Sequence, residues 1–148
     1  MSNFKVLTIQ NLEEILKLEE ARIAHFNEIE KMTVAWKAPW RKEALEHYLK
    51  TGWCIGLLNN QNQIEGYFLA QPVLFMESYT QSLWIEYISY KNLDMFLALA
   101  DFAYKYGRDK HLQRVLFNQD EAFQKVNLPF KINQNQKNFI EVYTTKMS

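Results

Sequence analysis

The fold of this chain is decided by Leu83-Trp-Ile-Glu-Tyr-Ile-Ser-Tyr90, which is followed after Lys91 and Asn92 by Leu93-Asp-Met-Phe-Leu-Ala-Leu-Ala-Asp-Phe-Ala-Tyr-Lys-Tyr106. The first segment has the length and apolar content of a buried strand. The second is long enough for a helix and is apolar on nearly every side. Such a helix must be covered over most of its surface, so the two segments predict a helix laid across a sheet.

Length, charge and cysteine content narrow the classes of protein. The 148 residues suit one domain with a single core. Lysine and arginine together equal aspartate and glutamate at 17 each, so no net field attracts nucleic acid or an anionic membrane. Cys54 is the one cysteine, which excludes an internal disulfide and fits a reducing compartment. The sequence contains no recognisable signal peptide or membrane span, so we expect a cytoplasmic protein.

Capping residues and hydrophobic periodicity predict the elements of the first third of the chain. Asn11 followed by Glu14 is a capping-box pattern, which predicts the start of a helix. Pro39 and Gly52 are the residue types that open and close a second helix. The predicted elements are a strand over residues 4–9, a helix from 11 to about 26, an irregular segment over 27–38 and a helix over 39–52.

The rest of the chain predicts mainly strands. Residues 53–58 and 64–70 are β-rich and lie on either side of a short polar connection, so they predict an antiparallel hairpin. Gly107 predicts the end of the long helix. The other predicted elements are a turn over 77–81, a strand over 114–118, a short helix over 119–126, and a final hairpin of 131–132 with 139–145. Together these elements predict an α/β (α+β) fold, a mixed and mostly antiparallel sheet with helices on both faces.

Two motifs make this chain resemble the GNAT family of acyl-CoA-dependent N-acyltransferases, and the order of elements is similar over residues 4–145. The first is Asn118-Gln-Asp-Glu-Ala-Phe-Gln-Lys-Val-Asn-Leu-Pro-Phe130, where the family has an Asn after its fifth strand and a Phe twelve residues later. The second is Pro39-Trp40 at the start of the second helix. The resemblance implies a GNAT-like fold, acetyl-CoA or another acyl-CoA as co-substrate, and an amine as acyl acceptor.

The joint between strand and helix departs from the family. GNAT proteins have a glycine-rich loop there, because glycines let backbone N–H groups turn toward the pyrophosphate of CoA. This chain has none near Tyr90. Asn92 is the expected N-cap and would occupy a helix N–H group, and Asp94 places a carboxylate where an anion would lie. Lys91 supplies one point charge in compensation, so we expect CoA to bind weakly, without a phosphate cradle.

Candidate site residues follow from the sequence and from the resemblance. Glu86 interrupts an apolar strand, and a buried carboxylate there could serve as general base; a solvated or hydrogen-bonded Glu on a strand face is the alternative. Lys125 stands seven residues after Asn118, where the family has a proton-donating Tyr. The resemblance assigns cofactor binding to Tyr87, Ile88, Ser89, Lys91 and Asn118, and substrate binding to Trp36 and Trp40.

No metal site is expected, because His25, His47 and His111 lack the spacing of metal ligands. Two classes of function stay open. One is an N-acyltransferase that moves an acetyl group from acyl-CoA to an amine with a lost or divergent pyrophosphate loop. The other is a non-catalytic interaction or sensing module on the same fold. The acceptor, the partner and the oligomeric state are not fixed by the sequence.

Overall fold

The computed structural model of the protein describes residues 3–76, 79–132 and 139–144. Within these residues, six strands form one sheet in chain order. The strands are β1 (Asn3–Val6), β2 (Ile55–Leu58), β3 (Ile64–Met76), β4 (Tyr79–Ser89), β5 (Arg114–Asn118) and β6 (Phe139–Tyr143). The β4–β5 pair is parallel and the other neighbouring pairs are antiparallel. The prediction of a mixed, mostly antiparallel sheet is therefore confirmed.

Helices cover both faces of this sheet, as predicted. The α-helices are α1 (Leu12–Arg22), α2 (Glu28–Lys37), α3 (Lys42–Leu49) and α4 (Leu93–Asp109), and short 3-10 helices occupy Ile9–Asn11 and Glu121–Gln124. One core lies between α4 and the sheet, where Phe96 and Leu99 pack with Ile85 and Phe117. The other lies under α1 and α3, where Ile15 and Leu45 pack with residues of β3. Both cores meet on the central strands β3 and β4.

The start of α4 lies close against β3, and Gly66 makes this approach possible. A Cβ atom on Gly66 would lie 2.6 Å from the Sδ atom of Met95 and 2.9 Å from the carbonyl oxygen of Ser89. Real Cβ atoms do not approach so closely. The absence of a side chain at residue 66 thus lets the end of β4 and the start of α4 pack directly against β3.

The prediction of an irregular segment over residues 27–38 is wrong, because α2 occupies most of it. Its N-cap is Asn27, whose side chain accepts from the Glu30 N–H at 2.8 Å, while Glu30 accepts from the Asn27 N–H at 3.4 Å. The capping box predicted at Asn11 and Glu14 is also wrong. The Asn11 side chain instead accepts from the Thr8 N–H, in the 3-10 turn that precedes α1, and Glu14 accepts from the backbone of β3.

Several predicted boundaries also need correction. The first strand ends at Val6, α1 ends at Arg22, and the next helix spans only Lys42–Leu49. Helix α4 continues past Gly107, so this glycine does not end it; there the Val115 side chain packs close to the backbone. The expected helix over 119–126 is only the 3-10 turn Glu121–Gln124.

The expected turn over residues 77–81 and the final hairpin are partly wrong. Strand β4 already begins at Tyr79, and residues 77 and 78 lie outside the described chain. Residues 131–132 form no strand, and β6 pairs with β5 instead; residues 133–138 and 145 are not among those described. None of the helices in the described ranges has the length and hydropathy to cross a membrane.

Candidate functional site

Strands β4 and β5 separate part-way along the sheet and leave an opening between them. Their parallel pairing runs from Ser82 opposite Arg114 to Ile85 opposite Phe117 and ends there. Strand β4 continues alongside β3 as far as Ser89. On the β5 side, residues 86–89 thus have no strand partner within the described residues. A strand edge of this kind offers N–H and C=O groups to an extended ligand.

The opening contains a cavity of about 180 Å³, lined by Glu86, Tyr87 and Ile88 from β4, by Asn118 and the residues after it, and by Pro39. The Asn118 side chain spans the opening, since its Nδ2 donates to the carbonyl oxygen of Glu86 at 3.2 Å. This bond shows that the Glu86 carbonyl faces β5. A second hydrogen bond crosses the opening beyond the end of β4, where the Tyr90 hydroxyl donates to Asp120 at 3.0 Å.

Glu86 lies at the point where the sheet becomes irregular. Leu69 pairs with Tyr87 and Ala70 pairs with Ile85, so Glu86 is the extra residue of a β-bulge. Bulges bend a strand and redirect a side chain, and they are frequent beside functional sites. The Glu86 side chain is half-buried, and its Oε2 accepts from the Trp84 indole N–H at 2.7 Å.

Trp84 and Glu86 lie close enough to the Tyr48 hydroxyl of α3 to influence its pKa. Burial, followed by the negative charge of Glu86, raises the pKa of Tyr48 to about 12. Tyr48 therefore stays protonated at neutral pH and cannot act as a base. Neither Tyr48 nor Trp84 was a sequence-based candidate, although Trp84 and Glu86 have the i, i+2 spacing that places two side chains on one face of a strand.

The pKa of Tyr48 predicts a loss of stability at high pH. A tyrosine in the unfolded chain has a pKa of about 10, so between about pH 10 and 12 the unfolded chain loses this proton while the folded protein keeps it. The contribution is fully present below pH 10 and is lost as the pH rises toward 12. Between about pH 10 and 12, the unfolding free energy of Tyr48→Phe should fall less steeply than that of the wild type, by about 1.4 kcal/mol per pH unit. Urea unfolding at several alkaline pH values measures this dependence. The same change in unfolding free energy per pH unit in both proteins would contradict the prediction.

A buried polar network holds the last residues of β4 from the α1 side. Glu19 of α1 is 3% exposed. It accepts from the Tyr67 hydroxyl at 2.9 Å, from the Tyr87 hydroxyl at 3.4 Å, and from the Ser89 hydroxyl. Arg22 pairs with Glu19 at 3.5 Å. Burial, followed by the charge of Glu19, raises the pKa values of Tyr67 and Tyr87, so both hydroxyls remain donors.

The network fixes the side chains of Tyr87 and Ser89 on the α1 face of the sheet. No pattern in the sequence indicates this arrangement, because its members are separated by up to 70 residues along the chain. Two predicted cofactor residues therefore have side chains engaged inside the protein and pair with β3. Ile88, between them, is the residue whose backbone groups face the free edge of β4.

The other predicted site residues lie in different environments. Asn118 and Glu86 meet at the opening, as described above. Lys125 is exposed, pairs with Glu121 at 3.7 Å, and does not line the cavity. Lys91 is exposed at the joint. Trp40 is 6% exposed and belongs to the core under α1 and α3, whereas Trp36 is 73% exposed, with the Arg41 guanidinium 5.2 Å from its ring.

The N-terminus of α4 has the cap that the sequence predicted. The Asn92 side chain accepts from the Met95 N–H at 2.9 Å, and Asp94 lies in the first turn. One of the N–H groups that could bind a phosphate is thereby occupied, and a carboxylate stands next to it.

Cys54 is buried, and burial raises the pKa of its thiol to about 11, so it is a core residue without nucleophilic character at neutral pH. In the part of the chain that the structure describes, no group of three or more His, Cys, Asp or Glu side chains could hold a metal ion.

Comparison with known proteins relates this architecture to solved structures. No protein-family model matches the sequence, and none of the curated proteins matches it significantly. The structure of PaiA N-acetyltransferase from Thermoplasma acidophilum in complex with coenzyme A has a TM-score of 0.65 at 12% identity, covering 97% of this chain and 99% of that chain. A GNAT-family acetyltransferase from Listeria monocytogenes has a TM-score of 0.65 at 10% identity, covering 95% and 92%.

The chain has the GNAT fold. The Drosophila melanogaster polyamine N-acetyltransferase, which catalyses the formation of N-acetylagmatine, has the same fold with a TM-score of 0.62 at 11% identity, over 97% of this chain and 98% of that chain. The resemblance seen in the sequence is thus confirmed at the level of fold. The identities are low, which fits a divergent GNAT-fold protein.

Proposed function

We propose that the protein is an N-acyltransferase that transfers an acetyl group from acetyl-CoA, or a related acyl group, to an amine. The observation that carries this proposal is the opening between β4 and β5, where a strand edge, a carboxylate and an amide side chain meet at Glu86 and Asn118. The GNAT fold supports this proposal, because the solved structures similar to this chain include several N-acetyltransferases.

The edge of β4 is the proposed binding element for the pantetheine arm of CoA. Backbone groups alternate from one side of a strand to the other. Because the Glu86 carbonyl faces β5, the N–H and C=O of Ile88 face the same side. Pantetheine contains two amides, which could pair with these groups as an added strand does. The hydrogen bond from Asn118 to Glu86 would keep β4 and β5 at a fixed separation beside the bound arm.

This protein offers few groups that could bind the phosphates of CoA. The Asn92 cap and the Asp94 carboxylate both oppose an anion at the start of α4, and Lys91 offers one exposed charge. The proposed enzyme therefore binds CoA mainly through its pantetheine arm, with a divergent pyrophosphate loop.

In the proposed reaction, Glu86 takes a proton from the ammonium of the acceptor, directly or through one water. The free amine nitrogen then attacks the thioester carbon and the C–N bond of the amide forms. As the C–S bond breaks, the nitrogen releases its surplus proton to solvent. The departing thiolate needs a proton to become CoA. Lys125 is paired with Glu121 away from the cavity, so we propose that solvent supplies this proton, and the reaction is slow as a result.

Isothermal calorimetry with acetyl-CoA tests the binding part of the proposal. We expect a dissociation constant weaker than about 1 µM, corresponding to less than about 8.2 kcal/mol of binding free energy. Lys91→Ala should weaken binding by only a few fold, because one exposed point charge contributes about 1 kcal/mol or less. Submicromolar binding that is lost in Lys91→Ala would show that the joint binds the pyrophosphate after all.

A non-catalytic interaction module is the second candidate, and one observation favours it. Helix α2 exposes Ile29, Met32 and Trp36, which share one face at helical spacing and are each more than 70% exposed. Exposed apolar residues in one stripe are typical of protein contacts. Absence of turnover with a panel of amines, together with absence of acetyl-CoA binding, would favour this candidate over the enzyme.

A further inference from the structure

We propose that Trp84 is a positioning residue that holds the Glu86 carboxylate in place for deprotonation of the acceptor amine. This inference rests on the function proposed above. The two residues lie on one face of β4, and the Trp84 indole N–H donates to Glu86 Oε2 at 2.7 Å. Indole nitrogen is a donor only, so its partner must accept, and an ionised carboxylate is the strongest acceptor among side chains.

The positions of the two residues in the sheet explain why such an anchor is needed. Trp84 pairs with Gln71 of β3 and with Leu116 of β5, so its backbone lies in the intact part of the ladder. Its ring also meets Phe139 of β6 edge-on, with centroids 6.2 Å apart at 89°. Glu86, in contrast, is the extra residue of the bulge. The indole N–H thus ties a side chain at the irregular point to a rigid neighbour.

This hydrogen bond restricts the rotamers of Glu86 before substrate arrives, which reduces the entropy lost in reaching the reactive geometry. A carboxylate has about four lone-pair positions, so the bond to Trp84 leaves acceptor capacity for an amine or a water.

Nuclear magnetic resonance tests the contact without relying on activity. A ¹H–¹⁵N spectrum contains one indole signal for each of the 4 tryptophans, and resonance assignment of the wild-type protein identifies the signal of Trp84. This signal should shift as Glu86 titrates in the wild-type protein, and the shift should disappear in Glu86→Gln. The Trp53 signal is the internal control, because Trp53 packs against Tyr106 on the α4 side. A Trp84 signal that neither titrates nor responds to Glu86→Gln would overturn the proposal, and this result does not require that Trp84→Phe fold well.

Kinetics test the positioning role. Trp84→Phe should lower kcat/KM about tenfold, the effect of losing one hydrogen bond to a charged group. The KM for acetyl-CoA should not change. Trp53→Phe, the matched control, should match wild type in both respects. An unchanged kcat/KM in Trp84→Phe would overturn the positioning role. An intact indole titration in a wild-type protein without turnover would instead overturn the proposed function, and the pair would then be a structural contact only.

Discussion

Replacing Glu86 with glutamine is expected to lower kcat/KM for acetyl transfer about a hundredfold. Glutamine keeps the shape of the side chain and can still accept from the Trp84 indole, but it cannot take a proton. The acceptor nitrogen is protonated as an ammonium at neutral pH and must lose a proton before its lone pair can attack the thioester, so the variant loses general-base catalysis alone. Initial rates with acetyl-CoA and a panel of amines measure the effect, with both proteins compared at a pH where the wild-type rate is highest.

Folding must be separated from chemistry in this comparison. Glu86 is half-buried and stands at a bulge, so Glu86→Gln is expected to change the unfolding free energy by less than about 1 kcal/mol. Glu43→Gln is a matched control, because Glu43 lies in the first turn of α3 and its side chain is 72% exposed. Equal activity of wild type and Glu86→Gln would remove Glu86 as the base while the acyltransferase remains. A wild type without turnover on any amine would end the catalytic proposal.

The sequence predicted the elements that have a clear pattern. Strand β5 matches its predicted bounds, and the hairpin of β2 and β3 was recognisable from two β-rich runs around a polar connection. Helix α4 could be identified because it lacks a broad polar side. Helix α2 was missed although Asn27 and Glu30 form a capping box and Ile29, Met32 and Trp36 stand at helical spacing. These three apolar residues point to solvent and not to a core.

The candidate site was predictable to a similar extent. Glu86 stood out because it interrupts an apolar strand, and Asn118 because it carries the motif at the end of β5. The bulge could not be foreseen, since it depends on the register between β3 and β4. The network of Glu19 with Tyr67 and Ser89 depends on contacts between distant parts of the chain, which neither periodicity nor spacing can indicate.

A buried ion pair between β5 and β6 gives the largest expected effect on stability. Arg114 and Glu141 have side chains that are 0% and 2% exposed and that contact each other directly. Arg114 also donates to the Ser82 hydroxyl of β4 at 2.9 Å, and Glu141 accepts from the Tyr143 hydroxyl at 3.0 Å. The pair therefore joins three strands on the face opposite α4. Both ions lost their hydration on folding, and each depends on the other to offset this cost.

Arg114→Met is accordingly expected to lower the unfolding free energy by about 3 to 5 kcal/mol, because it removes the buried guanidinium that contacts the buried Glu141 carboxylate. Urea unfolding followed by far-ultraviolet circular dichroism measures the loss. The double variant Arg114→Met with Glu141→Leu should recover most of it, since replacing both charges by apolar side chains removes the desolvation cost together with the attraction. A single variant that loses less than about 1 kcal/mol would contradict the argument. So would a double variant no more stable than the single one, because the loss would then come from packing rather than from the broken ion pair.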